Sequence, residues 1–447
     1  MKRREFIHGA SITALSASRI LGANDRVVVG LIGCGGRGQE VAALMRQAPG
    51  AEYGAVCDVY AANAAQARQS LNPSAEVFAD FRRLLERKDV DAVHIATPDH
   101  WHAIATVMAC QAGKDVYVEK PLAHNIREGR AMVAAARRHN RVVQTGMQHR
   151  SAPHYREVER IVQSGELGAV RFVRVWNYSN QTPYGIGRFP DSQAPEGLDW
   201  DFYLGPAPKV PFNRSRFLRT YRWFWDYAGG TITDFGTHRF DTVQQVMHVT
   251  APKTVSASGG RFSMTDAGEM PDVLQATYEY PGFIMSYESC SMNAHGIGGR
   301  TPGMAYYSMR GPDDRPHGEA YYGTNGTLIA DRIGFEVYPE PKPLARRDGS
   351  QDVKTRVEGA RAEPRRVASK DATDLHTREF IECVRSRKPP SADIEIGHRS
   401  TTVAHLGNVA FKTGRKLTWD AEKEDFIRDP EASKLLGRVA RKPWDLI

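Results

Sequence analysis

The feature that most constrains the fold is a glycine-rich turn between a short apolar run and a segment with helical spacing. Residues 26–32 read RVVVGLI, a β-branched run typical of a buried parallel strand. Gly33-Cys34-Gly35-Gly36-Arg37-Gly38 follows and fits G-x-G-x-x-G, and residues 39–47 have helical spacing. Such glycines allow a tight turn, close approach of the backbone to a pyrophosphate and close helix–strand packing. The helix N-terminus adds N–H groups for phosphates, so the pattern predicts dinucleotide binding.

A second apolar run, residues 52–57, ends at Asp58, which lies 20 residues after Gly38. A carboxylate at this place suits hydrogen bonds to the hydroxyls of an adenosine ribose and would repel a 2′-phosphate. Val59-Tyr60 offers no arginine to hold that phosphate. The sequence therefore favours NAD over NADP. The alternative role for Asp58 is to cap a helix that begins near Ala61.

Strands and helices continue to alternate after Asp58. This alternation predicts a parallel, doubly wound sheet with ligands at the carboxyl ends of its strands. The predicted helices are residues 81–88, 101–112 and 126–139, and the predicted strands are 91–96, 115–118 and 141–145. Three polar clusters follow the strand ends and are candidates for a site: Thr97-Pro98-Asp99-His100-Trp101-His102, Glu119-Lys120-Pro121 and Gly146-Met147-Gln148-His149.

The charge of the chain gives no indication of nucleic-acid binding. The net charge is +8, from 60 Lys and Arg against 52 Asp and Glu, and residues 1–24 and 341–370 together carry the whole excess. A nucleic-acid-binding protein is expected to carry its basic face on folded elements. The five cysteines have no spacing typical of a disulfide framework or a metal site, so we expect them to be small buried residues. No apolar run reaches the 18 residues of a membrane span.

The first 24 residues are set apart from the fold as a targeting segment. Arg3-Arg4-x-Phe6-Ile7 resembles a twin-arginine export signal, and small, modestly apolar residues follow from Ala10 to Ala23. This pattern predicts a periplasmic or otherwise exported protein. The alternative is a basic tail with a short helix on a cytoplasmic protein.

From about residue 26 to residue 420 the chain resembles the glucose–fructose oxidoreductase / inositol dehydrogenase (Gfo/Idh/MocA) family. The ordered set of motifs carries the resemblance, since each motif alone is common. Besides the glycine turn it comprises TPDHWH from Thr97, EKP from Glu119, SGELG from Ser164, Gly229-Gly230-x-x-x-Asp234-x-x-x-His238 and GTNGTL from Gly323.

The resemblance implies an α/β Rossmann domain followed by an α+β domain with a large, open, mostly antiparallel sheet. We place the NAD-binding domain at residues 25–150, the substrate-binding and oligomerisation domain at 151–420, and a C-terminal tail at 421–447. Residues 170–178, 254–262, 273–280 and 283–292 read as strands, with a turn at Pro281-Gly282. Helices are expected near 373–387 and 397–413, and residues 341–370 are expected to be a loop. A homodimer or tetramer is the implied assembly.

Oxidation of a secondary alcohol needs a hydride acceptor, a proton acceptor and a group that stabilises the developing alkoxide. By resemblance, Lys120, Asp234 and His238 are the catalytic residues. His238 is the expected general base because imidazole titrates near neutral pH. Asp234 would orient the imidazole or bind a substrate hydroxyl, and a helix would place both residues on one face. Lys120 would donate to the substrate oxygen.

Other residues follow from their place beside these motifs. The glycine turn, Asp58, Thr97, Pro98, His100, Trp101, His102, Glu119, Lys120 and Gln148 are expected to contact the cofactor. His149, Tyr221, Arg222, Trp223, Asp234 and His238 are expected to contact the substrate, the aromatic rings stacking on a sugar. The alternatives are that His102 is a histidine of the helix start, and that the aromatic residues around 221–225 form a core cluster. No metal is expected.

The leading hypothesis is an NAD-dependent oxidoreductase that acts on a sugar, a sugar derivative or a cyclitol. One alternative is a redox-assisted glycosidase that oxidises, eliminates, hydrates and reduces its substrate while retaining NAD. Relatives with that chemistry tend to replace the lysine of EKP, whereas Lys120 is present. A further alternative is a non-catalytic NAD-binding sensor, because a fold alone does not establish a function.

Overall fold

The computed structural model describes residues 26–296, 315–343 and 357–445. The predicted export signal lies outside these residues. Within the described part of the chain, no helix combines the length and the apolar character needed to cross a membrane.

The N-terminal domain is built on a parallel sheet of six strands in the order β3-β2-β1-β4-β5-β6, which confirms the predicted Rossmann architecture. The order reverses between β1 and β4, and ligands bind in such sheets at this switch point, beyond the carboxyl ends of the strands. The strands are β1 (Val27–Ile32), β2 (Ala51–Cys57), β3 (Glu76–Phe78), β4 (Ala92–Ile95), β5 (Asp115–Val118) and β6 (Val143–Thr145). The helices are α1 (Gly36–Met45), α2 (Ala61–Leu71), α3 (Phe81–Leu85), α4 (Asp99–Gln111) and α5 (Ile126–Arg138).

The second domain contains an 11-stranded sheet in which β7 and β10 run parallel and the other pairs run antiparallel, which confirms the predicted mixed, mostly antiparallel sheet. Its order is β17-β14-β13-β12-β7-β10-β9-β8-β18-β19, with β11 also on β7, while β15 and β16 form a separate pair. The strands are β7 (Phe172–Asn180), β8 (Thr254–Gly260), β9 (Val273–Tyr280), β10 (Phe283–Cys290), β11 (Met292–Asn293), β12 (His317–Tyr322), β13 (Gly326–Asp331), β14 (Gly334–Pro339), β15 (Pro341–Pro343), β16 (Val357–Ala360), β17 (Arg365–Ala368), β18 (Leu417–Asp420) and β19 (Asp425–Phe426). The helices are α6 (Pro153–Gln163), α7 (Trp200–Leu204), α8 (Thr237–Met247), α9 (Thr373–Ser386), α10 (Ile394–Thr413) and α11 (Pro430–Lys434).

The main core of the second domain lies between the large sheet and helices α6, α8 and α10. Alternate residues of β9, from Leu274 to Tyr280, are buried on the helix side, as expected for a sheet covered on one face. The predicted turn joins β9 to β10 through Gly282, whose φ of +90° suits glycine.

The C-terminal part of the chain returns to the first sheet. Helix α9 packs beside α1, where Phe380 and Ile381 join the apolar core formed by β1 and β2. Trp444, in the segment expected to be a tail, stacks on Phe202 and contacts Trp101. The first domain therefore packs against a helix of the second domain and against the C-terminal segment.

Two expectations need adjustment. Residues 341–370 were expected to be a loop, but their described parts form β15, β16 and β17, and β17 extends the large sheet through backbone pairing with β14. Four of the cysteines are buried, as expected, and Cys290 is only half-buried.

Candidate active site

The glycine turn after β1 leaves no room for side chains at two of its positions. Gly33 has a φ of +92°, and a Cβ there would lie 2.6 Å from the carbonyl carbon of Ala96. A Cβ on Gly38 would lie 2.2 Å from the Gly33 carbonyl oxygen, so α1 packs directly on the turn. Both positions require glycine, the first for its backbone conformation and the second for close packing.

The other two glycines of the turn face open space. No described atom lies within 4 Å of the place where a Cβ on Gly35 or Gly36 would be. Gly35 is the N-cap of α1, and no side chain caps this end of the helix. Uncapped N–H groups at a helix N-terminus attract anions. The turn therefore fits the pyrophosphate of a dinucleotide.

Asp58 ties the end of β2 to the glycine turn. Its carboxylate accepts hydrogen bonds from the backbone N–H of Cys34 at 2.7 Å and of Tyr60 at 2.8 Å. Burial raises the pKa of Asp58, and these two bonds oppose the rise. The N-cap of α2 is Tyr60, so the alternative role of Asp58 as its cap is not what the structure shows. A carboxylate has about four acceptor positions, which leaves capacity for ribose hydroxyls.

A cleft of about 580 Å³ opens beside Asp58. Its walls are mostly apolar, and the second domain closes it at Gly197, whose carbonyl accepts from the Ala61 N–H at 2.9 Å. These properties suit an adenosine moiety. Arg68 of α2 also lines the cleft, with its Nε donating to the Pro73 carbonyl at 2.8 Å. Arg68 lies ten residues after Asp58, beyond Val59-Tyr60, and was not predicted, although helical spacing along α2 could have indicated it.

Arg37 and Glu119 join the glycine turn to the loop that carries Lys120. The Arg37 Nε donates to Glu119 Oε1 at 2.9 Å. Burial alone would raise the pKa of Glu119, but the charges of Arg37 and Lys120 outweigh burial and lower it. The ion pair therefore positions the loop, and contact of either residue with the cofactor stays a prediction.

Trp101 and His100, which were predicted to contact the cofactor, are packed against the second domain, and that contact stays a prediction. The Trp101 indole donates to the Tyr203 carbonyl at 3.0 Å and is enclosed by aromatic rings, those of Phe81, Phe202 and Trp444. His100 is also buried, with its Nε2 3.0 Å from the same Tyr203 carbonyl. Burial lowers the pKa of His100 to about 3. Both rings hold the start of α4 against the second domain, so they are occupied by protein.

His102 connects two of the loops at the strand ends. Its ring nitrogens lie 2.9 Å from the Thr97 carbonyl and 2.8 Å from the Pro121 carbonyl. This agrees with the alternative that His102 is a partnered histidine of the helix start. Thr97 and Pro98 directly follow β4, and Gln148 lies buried after β6 with no described partner for its Oε1. Their contact with a cofactor stays a prediction.

Lys120 contacts the second domain. Its Nζ donates to Asp234 Oδ1 at 2.6 Å and to the Asp234 backbone carbonyl at 2.7 Å. The Arg222 Nε lies 3.2 Å from the same carboxylate oxygen. Burial would raise the pKa of Asp234, but Lys120 and Arg222 outweigh burial and hold it well below its usual range. One carboxylate therefore faces two cations, and the cluster has a net positive charge.

Asp234 and His238 lie in consecutive turns, as expected, but the first turn is not α-helical. Residues Ile232–Gly236 form one π-helical turn, and α8 begins at Thr237. Short π-helical turns occur frequently at functional sites. The chain enters the turn through Gly230, whose φ is +76°.

His238 is buried beside His149, a residue of the first domain. The two imidazole rings stack with centroids 5.0 Å apart. Burial, and then the charge of Lys120, lower the pKa of His238 well below its ordinary value. The shift favours the neutral imidazole, and the role of His238 as general base stays a prediction. Its buried Nδ1 has no hydrogen-bond partner among the described residues.

The hydrogen-bond partners of His149 define its tautomer. Its Nδ1 lies 3.3 Å from Thr242 Oγ1, and that hydroxyl already donates to the His238 carbonyl at 2.9 Å. Nδ1 must therefore donate, because the Thr242 hydrogen is used elsewhere. The Arg332 Nε lies 3.4 Å from His149 Nε2, which then accepts. His149 is thus a neutral imidazole at the site.

Arg332 is the residue that sequence reasoning missed at this site. It follows β13 in the hairpin to β14, and its charge is one of the causes that lower the pKa of His238. A single arginine between two strands carries no local pattern of its own. Only the pairing of β12, β13 and β14 brings it beside His149.

The residues around Tyr221 have two roles, because Tyr221 packs in the core whereas Arg222 reaches the candidate site. The Tyr221 hydroxyl donates to Asp99 Oδ1 at 2.9 Å, and its ring packs with Phe224 and Tyr227, as the core alternative predicted. Arg222 reaches Asp234, as described above. Trp223 is half-buried, and its contact with substrate stays a prediction. Among the described residues, no group of three or more acidic, histidine or cysteine side chains could hold a metal ion.

Models of one protein family match both domains of the chain. The oxidoreductase family with an NAD-binding Rossmann fold (GFO_IDH_MocA) matches residues 27–147, and its C-terminal alpha/beta domain matches residues 152–306 and 316–446. Inositol 2-dehydrogenase of Burkholderia multivorans is 36% identical over 143 residues, which cover 32% of this chain and 42% of that enzyme. The chain spans less than half the length of the curated relatives it matches.

Solved structures share the fold at low sequence identity. The aldose-aldose oxidoreductase from Caulobacter crescentus, complexed with glycerol, has a TM-score of 0.63 and 16% identity over 88% of this chain and 99% of that one. The WlbA dehydrogenase from Bordetella pertussis, in complex with NADH and UDP-GlcNAcA, has a TM-score of 0.61 and 18% identity over the same shares.

Proposed function

This chain belongs to the Gfo/Idh/MocA oxidoreductase family, and from that premise we propose that it oxidises a hydroxyl group of a sugar, a sugar derivative or a cyclitol with NAD. Inositol 2-dehydrogenase and the aldose-aldose oxidoreductase named above support this substrate class. The convergence of Lys120 from one domain with Asp234 and His238 from the other carries the proposal.

The chain's own residues fit the cofactor. The open sides of Gly35 and Gly36, the uncapped start of α1 and the cleft beside Asp58 would hold the pyrophosphate and the adenosine. When bound, the nicotinamide supplies the hydride-accepting chemistry that no amino-acid side chain offers.

Lys120 and its partners act on the substrate oxygen. A hydroxyl beside the Lys120 ammonium would lie in the net positive field of the lysine, Arg222 and Asp234. Positive charge placed in advance stabilises the developing alkoxide and makes the hydroxyl more acidic. Asp234 also fixes the direction of the ammonium, because it binds that group through two oxygens.

His238 takes the proton in this proposal. It is neutral, so a ring nitrogen is free to accept the hydroxyl proton. Its buried Nδ1 has no hydrogen-bond partner among the described residues and is the nitrogen available for this proton. Stacking against His149 holds the ring in place for each turnover.

The test is to mix purified enzyme and NAD with a panel of aldoses, cyclitols and aryl glycosides, and to follow NADH absorbance and aglycone release together. NADH accumulation with a sugar or cyclitol supports the proposal. Release of aglycone without NADH indicates the redox-assisted glycosidase instead. Binding of NADH with neither reaction across the panel indicates the sensor.

Two finer points stay proposals. Export rests on Arg3-Arg4-x-Phe6-Ile7, and substitution of both arginines by lysine should keep the protein in the cytoplasm. A dimer or tetramer rests on the family resemblance, and the mass measured by light scattering in solution tests it. A monomer would overturn that second proposal.

A further inference from the structure

Arg332 presents the accessible end of a guanidinium at the candidate active site. Both of its close contacts use Nε, which lies 3.4 Å from His149 Nε2 and 3.4 Å from Asp371 Oδ2. Neither terminal nitrogen makes a hydrogen bond to a described residue, and neither is fully enclosed by protein. The two-pronged end of the side chain is therefore available to a ligand.

Asp371 does not neutralise this guanidinium effectively. Its other oxygen, Oδ1, accepts from the backbone N–H of Thr373 at 2.9 Å and from the Thr373 hydroxyl. Its side chain is 39% exposed, so water screens its charge. The contact with Asp371 holds Arg332 at its Nε, and no carboxylate of the described residues contacts the terminal nitrogens.

The surroundings of Arg332 add positive charge. Arg239 follows His238 in α8, is buried and pairs with Glu319 at 2.8 Å. Burial raises the pKa of Glu319 to about 7, and the charge of Arg239 opposes the rise. The pKa values of His149 and His317 are lowered, first by burial and then by Arg239 and Arg332. Neutral imidazoles and two arginines thus create a positive field on this side of the site.

The positive charge and the two terminal nitrogens of Arg332 suit the binding of a planar anion with one negative charge. An arginine donates two parallel hydrogen bonds to the two oxygens of a carboxylate. The Lys120 cluster is already paired internally and lies where the reacting hydroxyl is expected. Arg332 is connected to that cluster through His149 and His238, so one small molecule could present a hydroxyl to Lys120 and an anionic group to Arg332.

Resting on the proposed function, we infer that the substrate is an acidic sugar, such as a uronic acid, whose carboxylate is bound by Arg332. The carboxylate fixes the orientation of the sugar ring and so determines which hydroxyl reaches Lys120 and His238. A neutral sugar of the same shape lacks this contact and leaves the guanidinium unpaired.

The test is calorimetric titration of the full chain saturated with NADH. The probes are glucuronate and galacturonate, compared with glucose and galactose, which lack the carboxylate. We expect the acids to bind at least about tenfold more tightly, because hydrogen bonds to charged groups are the strong ones. The preference should weaken as salt is added.

Three variants assign the preference to Arg332. Arg332→Gln should remove it, and Arg332→Lys should retain part of it, because the charge remains without the fork. Arg415→Gln removes an exposed arginine that pairs with Asp429 and should leave the preference unchanged. If Arg332 had only a structural role, Arg332→Gln would weaken the binding of acids and of neutral sugars equally.

The inference is overturned if the wild type binds acids and aldoses equally well. It is also overturned if the preference for acids survives in Arg332→Gln, or if neither acid binds. The titration needs no turnover. Selective binding of acids without any NADH formation would therefore count against the proposed oxidation and leave the carboxylate subsite standing.

Discussion

The Lys120 ammonium donates to both the carboxylate and the backbone carbonyl of Asp234, at 2.6 and 2.7 Å. Lys120 follows a strand of the first sheet, whereas Asp234 lies in the π-helical turn before α8. The ammonium therefore occupies the junction between the glycine-turn domain and the second domain. Because Arg222 binds the same carboxylate, the junction is also positively charged.

The glycine turn can be tested by a matched pair of variants. Gly35→Ala places a methyl group in the open space expected for the pyrophosphate, at the second glycine of the motif, so we expect NADH affinity to fall at least about tenfold with little change in stability. Gly38→Ala forces a Cβ to 2.2 Å from the Gly33 oxygen, so we expect lower thermal stability as well. Thermal melting and NADH fluorescence check both. Unchanged NADH affinity in Gly35→Ala would contradict the proposed phosphate site.

Cofactor preference should depend on the charge of Asp58. Asp58→Asn retains an acceptor for the Cys34 N–H but removes the charge that repels a 2′-phosphate. We expect the ratio of NADPH to NADH affinity to rise about tenfold or more, an effect that Arg68 in the same cleft would support. Fluorescence titration of both cofactors measures the ratio. A ratio identical to that of the wild type would remove Asp58 from cofactor selection.

Asp234 should stabilise the fold as well as the site. Asp234→Asn leaves Lys120 and Arg222 together without their shared anion, and losing one partner of a buried ion pair costs about 3 kcal/mol. Asp226→Asn is the control, because Asp226 is more exposed and lies 3.6 Å from Arg216, so its loss should cost less than about 1 kcal/mol. Urea denaturation compares the two. Equal losses of unfolding free energy in the two variants would show that Asp234 stabilises the fold no more than an exposed ion pair does.

Glu379 should make stability depend on pH in a defined direction. Burial would raise its pKa, but the His376 ring 3.7 Å away and hydrogen bonds from the Ser391 hydroxyl and backbone N–H outweigh burial and lower the pKa to about 2. The folded pKa lies below the unfolded value, so the stabilisation is complete above the unfolded pKa of about 4.5 and is lost as pH falls toward 2.

Glu379→Gln should therefore cost roughly 2–3 kcal/mol at about pH 7 and much less at about pH 3. Glu382→Gln, on the exposed side of the same helix, is the control and should change little at either pH. Denaturant unfolding at the two pH values measures the difference. A cost that is equal at both pH values would contradict a role for the ionised carboxylate.

The local sequence was sufficient for five of the six strands of the first sheet because they are apolar runs and the turn after β1 is marked by glycines. Strand β3 was not predicted, because it has only three residues and is mostly exposed. The strands from β12 to β14 and β17 were not predicted, because mixed polar residues such as Glu319, Asp331 and Glu336 interrupt their patterns. These carboxylates are buried and form ion pairs, Glu319 with Arg239, and Asp331 and Glu336 with Arg315. The partners are distant in the chain, so no local pattern shows the pairing.

The residues of the candidate site that belong to a sequence motif, or lie beside one, could be predicted. Lys120, Asp234, Arg222, His149 and His238 converge in one cluster, although they derive from four separate segments. The start of α4 turns His100 and Trp101 toward the Tyr203 carbonyl, which their local sequence does not show, and their contact with the cofactor stays a prediction. Arg332 depends on how the second sheet folds back on the first domain, so it became visible only in the structure.

The most direct test of the central claim is the rate of NADH formation by Lys120→Ala and His238→Ala with a substrate found in the panel, measured alongside NADH affinity. Lys423→Ala, which removes an exposed lysine, is the control. The account predicts that each active-site variant loses about a hundredfold or more in turnover while NADH affinity stays close to that of the wild type. Turnover near the wild-type rate in either variant would contradict the claim that this ammonium and this imidazole act on one hydroxyl.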